Sequence, residues 1–126
     1  MEKKIVFTEN APAAIGPYSQ GVDTGSLVFT SGQLPINPAD KKVIVDDIKA
    51  ATRQCLLNCQ AILEAAGTSL DKAIKTTVFL TDLKDFAGMN EVYAEFFTGD
   101  CPARATVGIS ELALGAKVEI DVIAIK

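Results

Sequence analysis

The chain has 126 residues, a length typical of one domain, and we expect a single domain over residues 1–126. Its formal net charge is −4 and its pI is about 4.7. This charge argues against nucleic-acid or membrane partners, because phosphate backbones and anionic lipids attract an excess of cations. The chain has no histidine, which excludes an imidazole base or ligand and leaves acid–base chemistry to carboxylates, Tyr, Lys, Cys or bound water.

The first residues and the cysteines indicate where the protein resides. Met-Glu-Lys-Lys before Ile5 leaves too little room for a secretion signal, and no apolar run approaches the ~20 residues of a membrane-spanning helix. The three cysteines, Cys55, Cys59 and Cys101, lack paired spacing, which is typical of a reducing compartment. We therefore expect a cytoplasmic protein without a membrane partner.

The N-terminal part is predicted to consist of short strands and turns. A first strand is predicted at residues 5–8, and an ordered loop rich in Ala, Pro and Gly follows at residues 10–17. Alternation with β-branched and aromatic content predicts a strand at residues 27–33, and Pro, Asn and Asp indicate turns at residues 35–40.

The main helix is predicted at residues 46–66, where apolar residues recur at helical spacing. Asp46 is its predicted N-cap, and Gly67 is predicted to terminate it. Its surface is predicted to carry the polar residues Lys49, Arg53, Asn58 and Glu64.

The remaining elements are a strand at residues 73–81, a second helix at 85–97 and closing strands at 104–109 and 117–125. Along the last strand, side chains alternate between two faces. One face carries Val118, Ile120, Val122 and Ala124, and the other carries Glu119, Asp121, Ile123 and Ile125.

This order of elements favours the α+β class, with one mixed β-sheet and two helices on one face. Two helices leave the other sheet face, with Ile123 and Ile125, uncovered in a monomer. We therefore expect a homo-oligomer in which these sheet faces pack together.

The cysteines allow a functional and a structural interpretation. Cys55 and Cys59 are four residues apart on the main helix. This spacing fits either half of a metal site or two small core residues. The core interpretation is favoured and no metal is expected, because no further ligands follow. Cys101, before Pro102, is predicted to be an ordinary loop residue, because there is no histidine to activate its thiol.

Two charged residues in predicted strands are candidates for chemistry. Arg104 shares a strand face with Thr106, and it suits either bidentate binding of a carboxylate or a structural salt bridge. Glu119 lies among apolar residues, as either an interface ion pair or a water-positioning group with a shifted pKa. Spacing alone leaves both alternatives open.

Five segments together resemble the RidA family, also called YjgF or reactive intermediate deaminase. They run in the family's order and cover almost the whole chain: APAAIGPYSQ (11–20), FTSGQLP (29–35), TVFLTDLKDFAGMNEVYAEFF (77–97), PARATV (102–107) and AKVEIDVIAI (116–125). The resemblance implies a chorismate-mutase-like fold and a homotrimer with clefts between its subunits. It also implies a hydrolase without cofactor that converts small imines and enamines from pyridoxal-phosphate enzymes, such as 2-aminoacrylate, 2-iminopropanoate and 2-iminobutanoate, to 2-keto acids and ammonia.

The resemblance also assigns roles to individual residues. Arg104 would hold the substrate carboxylate through two hydrogen bonds, and Glu119 would orient and activate a water. Tyr18 and Ser31 would supply hydroxyl contacts at the reacting end, and the Gly32 amide would be a backbone donor.

Three further positions bear on the cleft. Asn90 would line it. Thr106 replaces the Cys of many members, so no essential thiol acts there, although the Thr106 carbonyl would still hold the water. Cys101 stands where an aromatic residue is common, which puts the substrate preference in question more than the reaction class.

Two other functions remain open. One is a non-catalytic trimer that binds 2-keto acids or related carboxylates and acts through a partner. The other is an endoribonuclease or translation inhibitor, which the acidic pI and the missing histidine disfavour, because RNA cleavage needs a cationic track and a base or metal.

Overall fold

The computed structural model describes residues 2–126. Its main elements, in chain order, are β1 (Lys4–Val6), β2 (Gly21–Asp23), β3 (Leu27–Thr30), α1 (Ile48–Ala65), β4 (Ala73–Leu80), α2 (Phe86–Phe96), β5 (Ala103–Gly108) and β6 (Val118–Ile125). Short 3-10 turns occupy Leu70–Lys72, Leu83–Asp85 and Ala113–Gly115. Within the described residues, neither helix has the length and apolar character needed to cross a membrane.

The six strands form one mixed sheet in the order β1-β2-β3-β6-β4-β5. Only β4 and β5 run parallel, and α2 connects them, because parallel neighbours need a crossover rather than a tight hairpin. This sheet and its two helices confirm the predicted α+β class.

Both helices pack on one face of the sheet and bury its apolar residues. In β6 this face carries Val118, Ile120, Val122 and Ala124, which are fully buried. Cys55 and Cys59 of α1 lie in the same core, and burial raises the pKa of the Cys59 thiol to about 12. The prediction that these two cysteines are small core residues is therefore confirmed.

The other sheet face carries no helix from the described residues. Its side chains include Phe29, Phe79, Val107 and Ile125, of which Phe29, Val107 and Ile125 are exposed. The predicted uncovered face is thus present in the single chain, and the homotrimer that would cover it stays a prediction.

Strand β2 was not predicted from the sequence. It has only three residues and begins with Gly21, so it lacks the alternation that indicates a strand. A Cβ at Gly21 would lie 2.7 Å from Cγ2 of Ile62 and 3.0 Å from the Phe29 carbonyl oxygen. The glycine therefore permits the close approach of α1 to the sheet.

The predicted cap and surface of the main helix are partly wrong. Asp47, not Asp46, is the N-cap, because the Asp47 carboxylate accepts hydrogen bonds from the backbone N–H groups of Lys49 and Ala50. Asn58 is buried, and its amide donates to the carbonyls of Leu34 and Ile36. These two bonds tie the segment after β3 to α1.

Strand β3 ends earlier than predicted because its pairing with β6 changes register. Phe29 is aligned with Ile123, whereas Gln33 is aligned with Ile120, so the β3 side has one residue more than β6. Such an insertion is the geometry of a β-bulge and places Ser31 and Gly32 outside the regular ladder. The other predicted elements differ from the observed bounds by one or two residues at an end, as is usual where helices and strands fray.

The C-terminus is fastened by an ion pair that makes a pH-dependent contribution to stability. Nζ of Lys126 lies 2.5 Å from Oδ2 of the buried Asp23, and this contact together with the N–H of Gly25 lowers the pKa of the Asp23 carboxyl. A lowered pKa stabilises the fold above the ordinary carboxyl range, and the contribution is lost as the pH falls through the lowered pKa.

We expect the Asp23→Asn variant to lose this acid-sensitive component. Its free energy of unfolding, measured by urea denaturation, should fall less than that of the parent chain between pH ~7 and pH ~3. The exposed Asp46→Asn change is the control and should leave the pH dependence unaltered. Equal pH dependence in Asp23→Asn and the parent would contradict the assignment.

Candidate functional site

The Arg104 side chain lies on the helix-covered face at the edge strand β5. Thr76, its neighbour across the ladder, is buried and hydrogen-bonded to Tyr93 of α2, which identifies this face. Nη1 of Arg104 donates to Oδ1 of Asn90 at 2.7 Å, and the guanidinium carbon lies 4.7 Å from the Tyr93 ring centroid and 5.6 Å from that of Phe86. An amide and two aromatic rings thus hold the cation.

Arg104 has no carboxylate partner within the described chain. The ion pairs of residues 2–126 join Lys49 to Glu91, Arg53 to Glu95 and Lys126 to Asp23. A half-buried guanidinium without an acidic neighbour retains N–H donors for a carboxylate that comes from elsewhere.

Thr106 follows Arg104 on the same face of β5. Its Oγ1 is buried, and it has no hydrogen-bond partner in residues 2–126. A buried hydroxyl without a partner is uncommon, because desolvation costs about 1–3 kcal/mol when no hydrogen bond replaces water. We call Arg104, Asn90, Thr106, Tyr93 and Phe86 the Arg104 group.

Glu119 and Gly32 form a close contact on the uncovered side of the sheet. Glu119 is aligned with Phe79 of β4, between residues of β6 that point to the helices. A Cβ on Gly32 would lie 2.5 Å from Oε2 and 2.7 Å from Cδ of Glu119. The Glu119 carboxylate therefore occupies the space that the absent side chain of Gly32 leaves free.

Partial burial alters the acidity of Glu119. Removal of the carboxylate from water raises its pKa, and the nearby charge of Asp121 raises it further. The pKa of Asp121 is also raised by burial, although Lys75 and a hydrogen bond with Thr77 act in the opposite direction. Glu119 is therefore a stronger base than a fully hydrated carboxylate, as a water-activating group requires.

The loop that carries Tyr18 is fastened beside Gly32. The buried Gln20 amide binds the backbone of Thr8 and donates to the carbonyls of Ala11 and Pro12, which fixes the loop before β2. Tyr18 is exposed, and it lines one cleft with residues that include Gly32, Gln33, Ile15 and Leu114.

Ser31 links this loop to the bulge. Its hydroxyl donates to the carbonyl of Ser19 at 2.5 Å, and its N–H donates to the carbonyl of Gln20 at 2.8 Å. The Ser31 oxygen still has lone pairs that can accept a further bond. We call Glu119, Gly32, Ser31 and Tyr18 the Glu119 group.

The two groups do not meet within one chain. Arg104 and Thr106 are aligned with Thr76 and Val78, whose side chains lie under the helices, whereas Glu119 points to the opposite face. The residues of each group therefore lie together within one chain, but the two groups lie apart. A site that contains both Arg104 and Glu119 requires a second copy.

Tyr93 and Phe86 were not among the residues predicted for the site. With Asn90 they occupy positions i, i+4 and i+7 of α2, which is one stripe of a helix. That spacing around an assigned polar residue is the signal that identifies them. Among residues 2–126, no group of three or more Cys, Asp or Glu side chains is arranged to hold a metal ion.

Comparison with known proteins gives consistent family matches. The sequence model of the family described as Endoribonuclease L-PSP matches residues 8–126. The 2-iminobutanoate/2-iminopropanoate deaminase of Salmonella typhimurium is 50% identical to this chain over 126 residues, with 98% of each covered.

Two solved structures agree with this match over nearly the full chain. The structure of the YjgF gene product from E. coli has a TM-score of 0.94 and 49% identity, and that of E. coli TdcF with bound serine has a TM-score of 0.94 and 47% identity. Each alignment covers 98% of both chains. The chain therefore belongs to the Endoribonuclease L-PSP family, which is the RidA/YjgF family that its five segments resemble.

Proposed function

We propose that this protein is an imine deaminase that hydrolyses 2-iminobutanoate and 2-iminopropanoate, with its enamine tautomer 2-aminoacrylate, to 2-keto acids and ammonia. The observation that carries the proposal is the half-buried Arg104 guanidinium, which Asn90 orients and no carboxylate of the described chain neutralises. The relative named as such a deaminase and the serine bound to TdcF agree with a small carboxylate-bearing ligand.

The proposed site lies between two copies of the chain. Arg104 and Glu119 are on opposite faces of one sheet, so one copy would supply the Arg104 group and its neighbour the Glu119 group. A homotrimer in which the uncovered faces pack together would also bury the exposed side chains of Phe29, Val107 and Ile125.

Arg104 and Thr106 would bind the carboxylate end of the substrate. The planar guanidinium offers two parallel N–H donors to the two carboxylate oxygens, which fixes the position and orientation of the substrate. Thr106 lies on the same strand face, and a small movement would turn its buried, unpartnered hydroxyl toward that carboxylate. Hydrolysis at the imine carbon needs no metal or cofactor, because a protonated imine is already electrophilic at that carbon.

Glu119 would activate the attacking water. It accepts a proton as the water oxygen bonds to the imine carbon, and it returns that proton to the nitrogen of the tetrahedral intermediate. As the carbon–nitrogen bond breaks and ammonia leaves, Glu119 takes the proton of the hydroxyl, which becomes the carbonyl of the keto acid, and Glu119 then releases that proton to water or ammonia. Tyr18, Ser31 and the Gly32 N–H would hold the water and the reacting end in place.

Removal of the Arg104 side chain tests the proposed carboxylate anchor. Imine generated by a threonine dehydratase, with semicarbazide to trap what remains, should be converted to keto acid faster in the presence of the protein. Arg104→Ala should lower kcat/KM about a hundredfold, because the loss of a charge-assisted contact costs about 2–5 kcal/mol. Arg53→Ala, which removes an exposed arginine paired with Glu95, is the matched control and should leave the rate unchanged.

Other outcomes of this assay would favour other functions. Absence of acceleration would overturn the deaminase proposal, and calorimetric binding of 2-oxobutanoate without hydrolysis would favour the carboxylate-binding regulator. Cleavage of RNA by the purified protein, unaffected by Arg104→Ala, would favour the endoribonuclease that the family description names.

A methyl group added to Gly32 tests the role of Glu119. The added methyl group of Gly32→Ala must displace the Glu119 carboxylate, whose end is the movable part of the contact. We expect kcat to fall about a hundredfold while the melting temperature changes by only a few degrees, because a 1 Å misplacement suffices for such a loss. Gly99→Ala, where nothing lies within 4 Å of the new methyl group, is the control. An active Gly32→Ala enzyme would remove Glu119 from the mechanism.

Mixed oligomers of two inactive variants test the shared site. Arg104→Ala and Glu119→Gln should each be nearly inactive alone, whereas co-expression should restore roughly a quarter of the parent activity, since one site in four combines an intact Arg104 with an intact Glu119. Sedimentation should give the mass of a trimer. Failure of the mixture to regain activity, or a monomer in sedimentation, would contradict the intersubunit site.

A further inference from the structure

We propose that Tyr93 is a positioning residue that orients the Arg104 guanidinium through contact with its aromatic ring, and that Thr76 holds the Tyr93 ring in place. The inference deepens the proposed function, because it rests on Arg104 as the carboxylate anchor. Tyr93 acts through Arg104 and does not touch the substrate.

The Arg104 guanidinium lies over the Tyr93 ring and makes one side-chain hydrogen bond, to Asn90, within the described residues. The Arg104 guanidinium carbon lies 4.7 Å from the Tyr93 ring centroid, closer than the 5.6 Å to Phe86. The ring attracts the cation through its quadrupole, so this contact does not need a conventional hydrogen bond from the guanidinium. Asn90 accepts from Nη1, so the remaining donors stay free for a carboxylate.

The Tyr93 ring is itself held rigidly. Its hydroxyl is hydrogen-bonded to Oγ1 of the fully buried Thr76 at 2.8 Å, and its ring lies 4.5 Å from that of Phe97. Thr76 is also the cross-strand neighbour of Arg104. The contacts from Thr76 in β4 to Tyr93 in α2, and from Tyr93 to Arg104 in β5, therefore fix the position of the guanidinium.

A role in proton transfer does not fit Tyr93. The side chain is 6% exposed and its hydroxyl is already bonded to Thr76, while burial raises the pKa of that hydroxyl. What the ring offers is a fixed flat surface. A long arginine side chain that is immobilised before the ligand binds loses less conformational freedom on binding, which increases affinity.

The test compares variants that remove the ring with one that keeps it. Tyr93→Met preserves most of the buried volume without an aromatic face and should raise the Kd for 2-oxobutanoate and the KM for the imine about five- to thirtyfold, with kcat altered less. Tyr93→Phe retains the ring and loses only its hydrogen bond to Thr76, so it should raise Kd about two- to threefold, and an unchanged Kd would remove Thr76 from the proposal. Phe97→Leu removes a neighbour that packs on Tyr93 but does not stack on Arg104, and it should change Kd less than twofold.

A double-mutant cycle separates positioning from a general structural effect. If Tyr93 acts through Arg104, Tyr93→Met should lower kcat/KM in the parent but not further in the Arg104→Ala background. An additional loss of similar size in that background would overturn the proposal. If Tyr93→Met does not fold, Tyr93→Leu replaces it in the same cycle.

A second readout does not depend on the enzymatic activity. The NMR order parameter of the Arg104 Nε–H should fall in Tyr93→Met and remain at the parent value in Phe97→Leu. An equally ordered Arg104 in Tyr93→Met would overturn the positioning role. A protein that neither hydrolyses imines nor binds 2-oxobutanoate, yet shows this loss of order, would instead refute the proposed function and leave the Tyr93 contact established.

Discussion

The alternation of side chains along β-strands is the constraint on which the site depends. Arg104 is aligned with Thr76 under the helices, and Glu119 is aligned with Phe79 on the uncovered face. The same alternation buries one apolar face of the sheet under α1 and α2 and leaves the other face without a cover. A single chain thus has a complete core under its helices, but Arg104 and Glu119 lie on opposite faces of its sheet. A contact between copies would cover the exposed face and bring the Arg104 of one copy to the Glu119 of another.

Neighbours of different kinds hold the two charged groups in partly dehydrated settings. Arg104 keeps its charge because its partners are an amide and aromatic rings, which stabilise a cation without neutralising it. Glu119 lies against a glycine instead of a cation, so burial raises its pKa and makes it a better base. In a chain without histidine, these two settings account for both tasks of the proposed reaction, carboxylate binding and water activation.

Periodicity located the long elements because their apolar residues repeat at the spacing of the element itself. It missed β2, whose three residues are too few to repeat, and it extended β3 past the bulge at Ser31. It also placed Asn58 on the surface, although the Asn58 amide donates hydrogen bonds to the backbone carbonyls of the distant residues Leu34 and Ile36. The errors at β3 and Asn58 arose where a contact between distant segments overrides the local pattern.

The sequence alone determined the fold class, the two buried cysteines, the exclusion of imidazole chemistry and, through its resemblance to a family, the candidate residues. Spacing left Arg104 undecided between an anchor and a salt bridge, because the partner of a side chain depends on which distant segments pack against it. Only the tertiary structure placed Arg104 beside Asn90 and Tyr93 without an acidic neighbour, and Glu119 over Gly32 on the opposite face. The physical reason is that local spacing specifies the face on which a side chain lies, whereas chain topology decides what meets it there.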